Sequence, residues 1–278
     1  MTKSSFQNQV VVLTGASSGI GRELALRLAE SGALLVLGAR NMAKLEAVAK
    51  TCRQKGGQAI AVQMDVSDKE SCRNFIEKTI EKFEKIDILV NNAGISMWAY
   101  FEAFTDLTPF EKIMQVNYFG SLYCTFYALP YLKKSKGRLV AISSLTGKTG
   151  VPTRSGYAAS KHAMAGFFDT LRIELRDTGV SVTMIYPGFV STDVRKRAVG
   201  ADGKPLINSP LDETATMTVE KCVDLMMPAI TKRKRELVMT LKGRLGLWLK
   251  LIAPGLVDSI ALKAVSKKKQ PIKKADKK

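Results

Sequence analysis

Residues 10–31 leave few folding choices. Val10-Val-Val-Leu-Thr14 is a short apolar run rich in β-branched side chains. Gly15-Ala-Ser-Ser-Gly-Ile-Gly21 follows it, and residues 22–31 then carry Leu24, Ala25 and Leu28 at helical spacing. A wholly apolar run reads as a strand buried on both faces, as in a parallel sheet. Strand, glycine-rich turn and helix is the order a dinucleotide phosphate site needs. Glycines let the backbone approach a pyrophosphate, and the helix N-terminus offers it free N–H groups. The spacing is Gly-x-x-x-Gly-x-Gly rather than Gly-x-Gly-x-x-Gly. Its placement between strand and helix favours phosphate binding over a plain tight turn.

The alternation then repeats. Residues 34–38 read as the second strand, 42–55 as a helix stopped by Gly56-Gly57, and 59–64 as the third strand. A helix from about Lys69 to Phe83 leads to a strand at 86–90, closed by Asn91-Asn-Ala-Gly94. A helix from about Pro109 to Pro130 precedes a strand at 137–142, and a helix running to about Thr178 precedes one at 180–186. A helix near 219–231 and a strand near 236–240 complete the sheet. Such alternation argues for right-handed βαβ units in one α/β domain. Residues 193–218 lack periodicity and read as a long loop, a lid or an insertion.

In an open α/β sheet the ligand crevice lies at the carboxyl ends of the strands, and the chemistry-bearing residues gather there. The second strand ends in Ala39-Arg40, where an NAD-selective site carries an acid. A guanidinium at that point pairs with a 2′-phosphate, so NADP(H) is favoured over NAD(H). Asp65 follows the third strand and either accepts from an adenine amino group or caps the next helix. Asn117 sits inside an apolar helix, a costly place unless its amide is satisfied. Ser144 follows the fifth strand, and Tyr157 and Lys161 are four apart, on one helix face. A lysine cation beside a phenol lowers the tyrosine pKa and suits it to general acid/base work, with Ser144 placed to hold a substrate oxygen. His162, the only histidine, lies one residue round the helix and reads as packing. Met97, Trp98, Tyr100, Phe101 and Phe104 line an apolar pocket or belong to the core.

Composition limits the alternatives. Hydrophobic residues make up 46% of the 278 and charged ones 24%, which describes a globular chain. Four scattered cysteines and one histidine argue against a metal site and suit reduced thiols in the cytosol. The first residues hold no apolar signal stretch, so no secretory targeting is expected. The net charge of +18 is concentrated at one end: residues 232–278 hold 15 Lys/Arg against 3 Asp/Glu, the first 231 hold 28 against 22. Residues 241–265 mix Trp248 and many leucines with Lys242, Arg244 and Lys250, too short an apolar run to span a bilayer. With the lysine-rich tail 267–278 they read as an interfacial helix for an anionic membrane, a flap over the crevice or a subunit contact. Nucleic acid would be held only nonspecifically.

Taken together, Thr14-Gly-Ala-Ser-Ser-Gly-Ile-Gly21, Asp65-Val66, Asn91-Asn-Ala-Gly94, Asn117, Ser144, Tyr157-Ala-Ala-Ser-Lys161 and Pro187-Gly188 resemble the short-chain dehydrogenase/reductase family in order and spacing. The finer likeness, in Ala141-Ile-Ser-Ser and Ala253-Pro-Gly-Leu256, is to its dehydrogenase/reductase member 7B-like branch, related to 11-beta-hydroxysteroid dehydrogenases. The resemblance implies a doubly wound Rossmann fold with a seven-stranded parallel sheet over residues 8–240, followed by a basic extension at 241–278. It implies a catalytic tetrad of Asn117, Ser144, Tyr157 and Lys161, with Asn117 holding a proton-relay water. It also implies a cofactor site reaching Gly15, Ser17, Ser18, Gly19, Ile20, Gly21, Arg40, Asp65, Val66, Asn92, Ala93 and Gly94. Asn117, Tyr157, Lys161, Pro187, Gly188, Val190 and Thr192 complete that site. The expected activity is hydride exchange between NADP(H) and the carbonyl or alcohol of an apolar small molecule, in a homodimer or homotetramer. A 3-oxoacyl-thioester reductase and a non-catalytic nucleotide-binding scaffold are the other readings.

Overall fold

The structure is a computed structural model that describes residues 6–192, 197–206 and 216–266. Seven parallel strands form one sheet in the order β3-β2-β1-β4-β5-β6-β7. They are β1 Val10–Thr14, β2 Leu34–Ala39, β3 Gln58–Gln63, β4 Ile88–Asn91, β5 Arg138–Ile142, β6 Ser181–Tyr186 and β7 Glu236–Val238. The order reverses between β1 and β4, which opens a crevice at that point on the carboxyl edge. The expected doubly wound, single-domain α/β fold is the one observed.

Helices α1 (Gly19–Glu30), α2 (Met42–Gln54) and α3 (Lys69–Phe83) each begin just beyond the strand before them. Asn41 caps α2 through its side chain, and Asp68 caps α3. The long connection after β4 holds α4 (Thr108–Met114), a π-helical turn at Gln115–Phe119 and α5 (Gly120–Ser135). Pro130 therefore lies inside α5 rather than at its end. Helix α6 (Ser155–Glu174) precedes β6, and α7 (Val219–Thr231) precedes β7. Two further helices follow, α8 (Leu241–Ile252) and α9 (Pro254–Ser266). Thr240, expected at the end of β7, instead caps α8. The expected loop at 193–218 and the lysine-rich tail 267–278 fall largely or wholly outside the described residues.

The sheet is buried on both faces. Leu13, Leu24, Leu45 and Met226 pack one face with α1, α2 and α7. Val12, Phe75, Leu132 and Phe168 pack the other with α3, α5 and α6. Successive β1 residues feed opposite layers, so a run without polar alternates is what this position demands. The layers hold the strand tips fixed, and the tips carry the polar residues described next.

Candidate active site

The glycine-rich turn is locked to the end of β4. Thr14 Oγ1 accepts from the backbone N–H groups of Asn92 and Ala93, both at 3.0 Å. Asn92 Nδ2 donates to the carbonyls of Thr14 at 2.9 Å and Gly15 at 3.2 Å. Gly15 has φ +68°, the left-handed region that a side chain resists. At Gly19, φ +56°, an added methyl would lie 3.4 Å from Thr192 Cγ2. The first turn of α1 has no acidic residue, and its N-cap Ser18 makes no side-chain cap bond. An uncapped helix N-terminus free of acids suits an anion. Ser17 and Ile20 flank it, both half-buried.

Further along the edge, Arg40 is exposed at the tip of β2. Asp65 Oδ1 accepts from Ser67 N and Oγ, at 3.0 and 2.7 Å, so this carboxylate closes a local turn. It does not cap α3, since Asp68 does. Val66 packs against Gly120, where an added methyl would sit 2.8 Å from Val66 Cβ. Val190 is buried in the core and bridges to Met217. Pro187 ends β6, its carbonyl accepting from Leu145 N at 3.0 Å, and Gly188 lies beside Leu145 and Thr240.

Asn117 sits in the π-helical turn and is fully buried. Its Oδ1 accepts from Ile95 N at 2.9 Å, while Nδ2 donates to Ile95 O at 3.0 Å and Ser160 Oγ at 2.9 Å. The cost of an amide in an apolar helix is thus met by the chain itself. Both donors are committed, which leaves only the second lone pair of Oδ1 for a water. A methyl built on Gly94 would lie 3.1 Å from that oxygen and 3.6 Å from Lys161 Nζ. Gly94 therefore keeps open a recess walled by Asn117 and Lys161, a cradle of the kind a flat ring or ribose fills.

Lys161 is 3% exposed and donates from Nζ to Ile142 O at 2.9 Å. Its amine lies 5.9 Å from the Tyr157 ring centre. Ser144, half-buried at the tip of β5, accepts from Thr146 N at 3.2 Å and pulls down on the Tyr157 phenol's pKa. Burial pushes the Lys161 amine down from 10.5 to about 7. Burial likewise raises the Tyr157 phenol above its ordinary range, against opposing pulls from Arg154 and the Ser144 hydrogen bond. Arg154 is the charge that pulls the phenol back toward its ordinary range, and desolvation acts on the Lys161 amine itself. His162 is exposed, its Nδ1 2.9 Å from Ala158 O, so the ring is neither packed nor turned to the site.

The depressed lysine has a stability consequence. Between about pH 7 and 10 the unfolded chain holds a proton on this amine that the folded one has lost, so the group favours folding more as pH rises. Below that window the amine is charged in both states and the full burial cost applies. Lys161→Met is expected to raise the melting midpoint at about pH 6 and to lose that advantage toward about pH 10. Calorimetry checks this; a variant less stable than wild type at the lower pH contradicts it.

Thr14, Ser160 and Arg154 belong to this constellation and were not singled out from the sequence. Thr14 was legible as a hydroxyl at the last position of β1. Arg154 was not, because its ring partners come from distant loops.

The short chain dehydrogenase family model matches residues 9–202. The chain is 48% identical over 187 residues to 11-beta-hydroxysteroid dehydrogenase-like 3 of Arabidopsis thaliana, covering 67% of this chain and 60% of that relative's length. It is 36% identical over 270 residues to dehydrogenase/reductase SDR family protein 7-like of Dictyostelium discoideum, covering 95% and 84%. Among solved structures, a short chain dehydrogenase/reductase from Burkholderia phymatum in complex with NAD superposes with a TM-score of 0.81 at 23% identity, covering 92% of this chain and 96% of that one.

Proposed function

This chain belongs to the short chain dehydrogenase family as an NAD(P)-dependent oxidoreductase, and on that premise we propose that it reduces the carbonyl of an apolar small molecule with NADP(H). The observation carrying this reading is Tyr157 beside Lys161 on α6, with Ser144 at the tip of β5 acting on its phenol, next to the Gly94 recess. When bound there, the nicotinamide supplies the hydride. Gly15, Gly19 and the N-terminus of α1 would hold its phosphates, and Gly94, Asn117 and Lys161 its nicotinamide end. Ser17, Ile20, Asp65, Asn92, Ala93, Pro187, Gly188 and Thr192 would shape the groove between.

The residues divide the work. Ser144 holds the substrate oxygen and Tyr157 gives it a proton. A phenol held above its ordinary range is protonated at neutral pH, the state a proton donor needs. Lys161 and the remaining lone pair of Asn117 Oδ1 resupply that proton through water. Exposed Phe101, half-buried Trp98 and exposed Phe189 give the mouth an apolar rim, which supports a lipid-, steroid- or retinoid-like substrate.

NADP(H) preference rests on Arg40, exposed at the tip of β2 with Ala39 before it. A panel of apolar ketones and alcohols with NADPH and NADH tests the reading by absorbance of the reduced cofactor. NADPH should be preferred, and Arg40→Asp should raise the KM for NADPH at least about tenfold while sparing NADH. An unchanged cofactor ratio would remove Arg40 from the account.

Two surfaces support assembly and membrane readings. Phe126 on α5 and Ile173 on α6 are exposed, as a homo-oligomer contact requires. On α8, Leu241, Leu245, Trp248 and Ile252 are exposed at spacings of four, three and four, so they line one face. Leu247 packs on the core from the opposite side. Among the described residues no helix is long and apolar enough to cross a membrane. An apolar stripe flanked by Lys242 and Arg244 suits peripheral docking on anionic lipid from the cytoplasmic side. The four buried, free cysteines fit a reducing compartment. Trp248→Ser with Ile252→Ser should reduce co-sedimentation with phosphatidylserine vesicles at least about fivefold and leave turnover intact. Undiminished pelleting would point to the basic residues alone.

A further inference from the structure

Building on the reading of Tyr157 as the proton donor, we propose that Arg154 is its positioning residue, a permanent cation that fixes the phenol ring and steadies negative charge on its oxygen. Arg154 stands at the N-cap of α6, three residues before Tyr157. That is an unfavourable place for a cation, since the positive end of the helix dipole lies there. It is also only 6% exposed, although a buried guanidinium carries a desolvation cost. Something local must offset both.

The offset is visible in its surroundings. The guanidinium carbon lies 4.4 Å from the Trp98 ring centre, 5.3 Å from Tyr157 and 5.7 Å from Phe189. Three ring faces within about 6 Å are the geometry of cation–π attraction. Nη1 also donates to the buried Ser96 Oγ at 3.1 Å. The segment that brings Ser96 and Trp98 is itself pinned, with Trp98 N donating to Val199 O at 2.9 Å and Ala99 N to Thr153 O at 3.0 Å. Arg154 thus ties the loop after β4, the loop after β6 and the proton donor into one cluster.

Among the described residues, the charged and titratable groups facing the phenol are few. Lys161 approaches from α6, Ser144 from the turn after β5, and Arg154 from the start of α6, with the neutral Asn117 amide behind Lys161. Desolvation leaves Lys161 cationic only part of the time at neutral pH. A guanidinium keeps its proton in any protein environment. The steady cation at this site is therefore Arg154, and its pull on Tyr157 does not switch with pH.

The test reads Tyr157 without needing a substrate. Tyrosines labelled with 13C at Cζ are followed by NMR as the pH is raised in wild type, Arg154→Met and Arg154→Lys. Tyr157→Phe identifies the Tyr157 signal among the seven tyrosines. Loss of the cation should raise the Tyr157 midpoint by about one pH unit, and lysine should restore most of it. Should Arg154→Met fail to give a folded spectrum, Arg154→Lys against Arg154→Gln makes the same comparison. An unchanged midpoint in a folded, uncharged variant overturns the proposal. A merely structural role predicts loss of stability without recovery of the midpoint by lysine. Turnover retained by Tyr157→Phe would instead overturn the reading of the site and leave the titration result standing.

Discussion

Tyr157→Phe is expected to lower kcat by about a thousandfold or more while leaving cofactor affinity within about twofold, a general acid contributing on the order of 10²–10⁴ in rate. The substitution removes one oxygen. The ring keeps its place against Arg154 and above Lys161, since those contacts are made by its face. At most one hydrogen bond toward Ser144 is lost, worth about 1 kcal/mol. The glycine-rich turn follows β1, two strands from the β5 tip that carries Ser144. Stopped-flow turnover and fluorescence titration with NADPH separate the two effects. A fall in affinity to match the fall in rate would mean that the hydroxyl holds the cofactor rather than moving a proton.

Gly21→Ala should damage the opposite end of the site. An added methyl would sit 2.4 Å from Gly15 O and 2.5 Å from Asn92 Nδ2. Both atoms are already engaged, because that amide ties the turn to β4. The turn and the first residues of α1 must separate, which breaks the Asn92 bonds and misaligns the N–H groups of the helix. Overpacking of this kind costs about 1–3 kcal/mol, a melting midpoint lower by roughly 3–9 °C for a chain of this size. NADPH affinity should fall at least about tenfold. A thermal melt and the same fluorescence titration check both. A variant with wild-type affinity would show that the turn does not bind the phosphates.

The glycine-rich turn and Ser144 were legible because each is a local signal at a strand tip, and strand tips follow from apolar runs; Asn117 was legible as an amide in an apolar helix, and Tyr157 and Lys161 by their four-residue helical spacing. Their gathering at one edge follows from parallel topology alone. What the sequence hid was long-range. Asp65 and Asp68 compete for the cap of α3, and only backbone geometry shows that Asp68 takes it. The π-helical turn that carries Asn117 leaves no periodic trace in five residues. Spacing places Lys161 near Tyr157 but says nothing of its burial, which pushes the amine down and the phenol up. Arg154 gains its neighbours from residues 96–98 and 189, which no local pattern connects.

The central claim is that the Tyr157 crevice exchanges hydride with a carbonyl. It is tested most directly by NADPH deuterated at the transferable C4 position, incubated with the protein and an apolar ketone panel, with the alcohol products read by mass spectrometry. Wild type should yield an alcohol carrying the label on its carbinol carbon, and Tyr157→Phe should yield none above background. A folded, NADPH-binding wild type that transfers no label to any ketone, or a Tyr157→Phe variant that transfers it equally, would contradict the account.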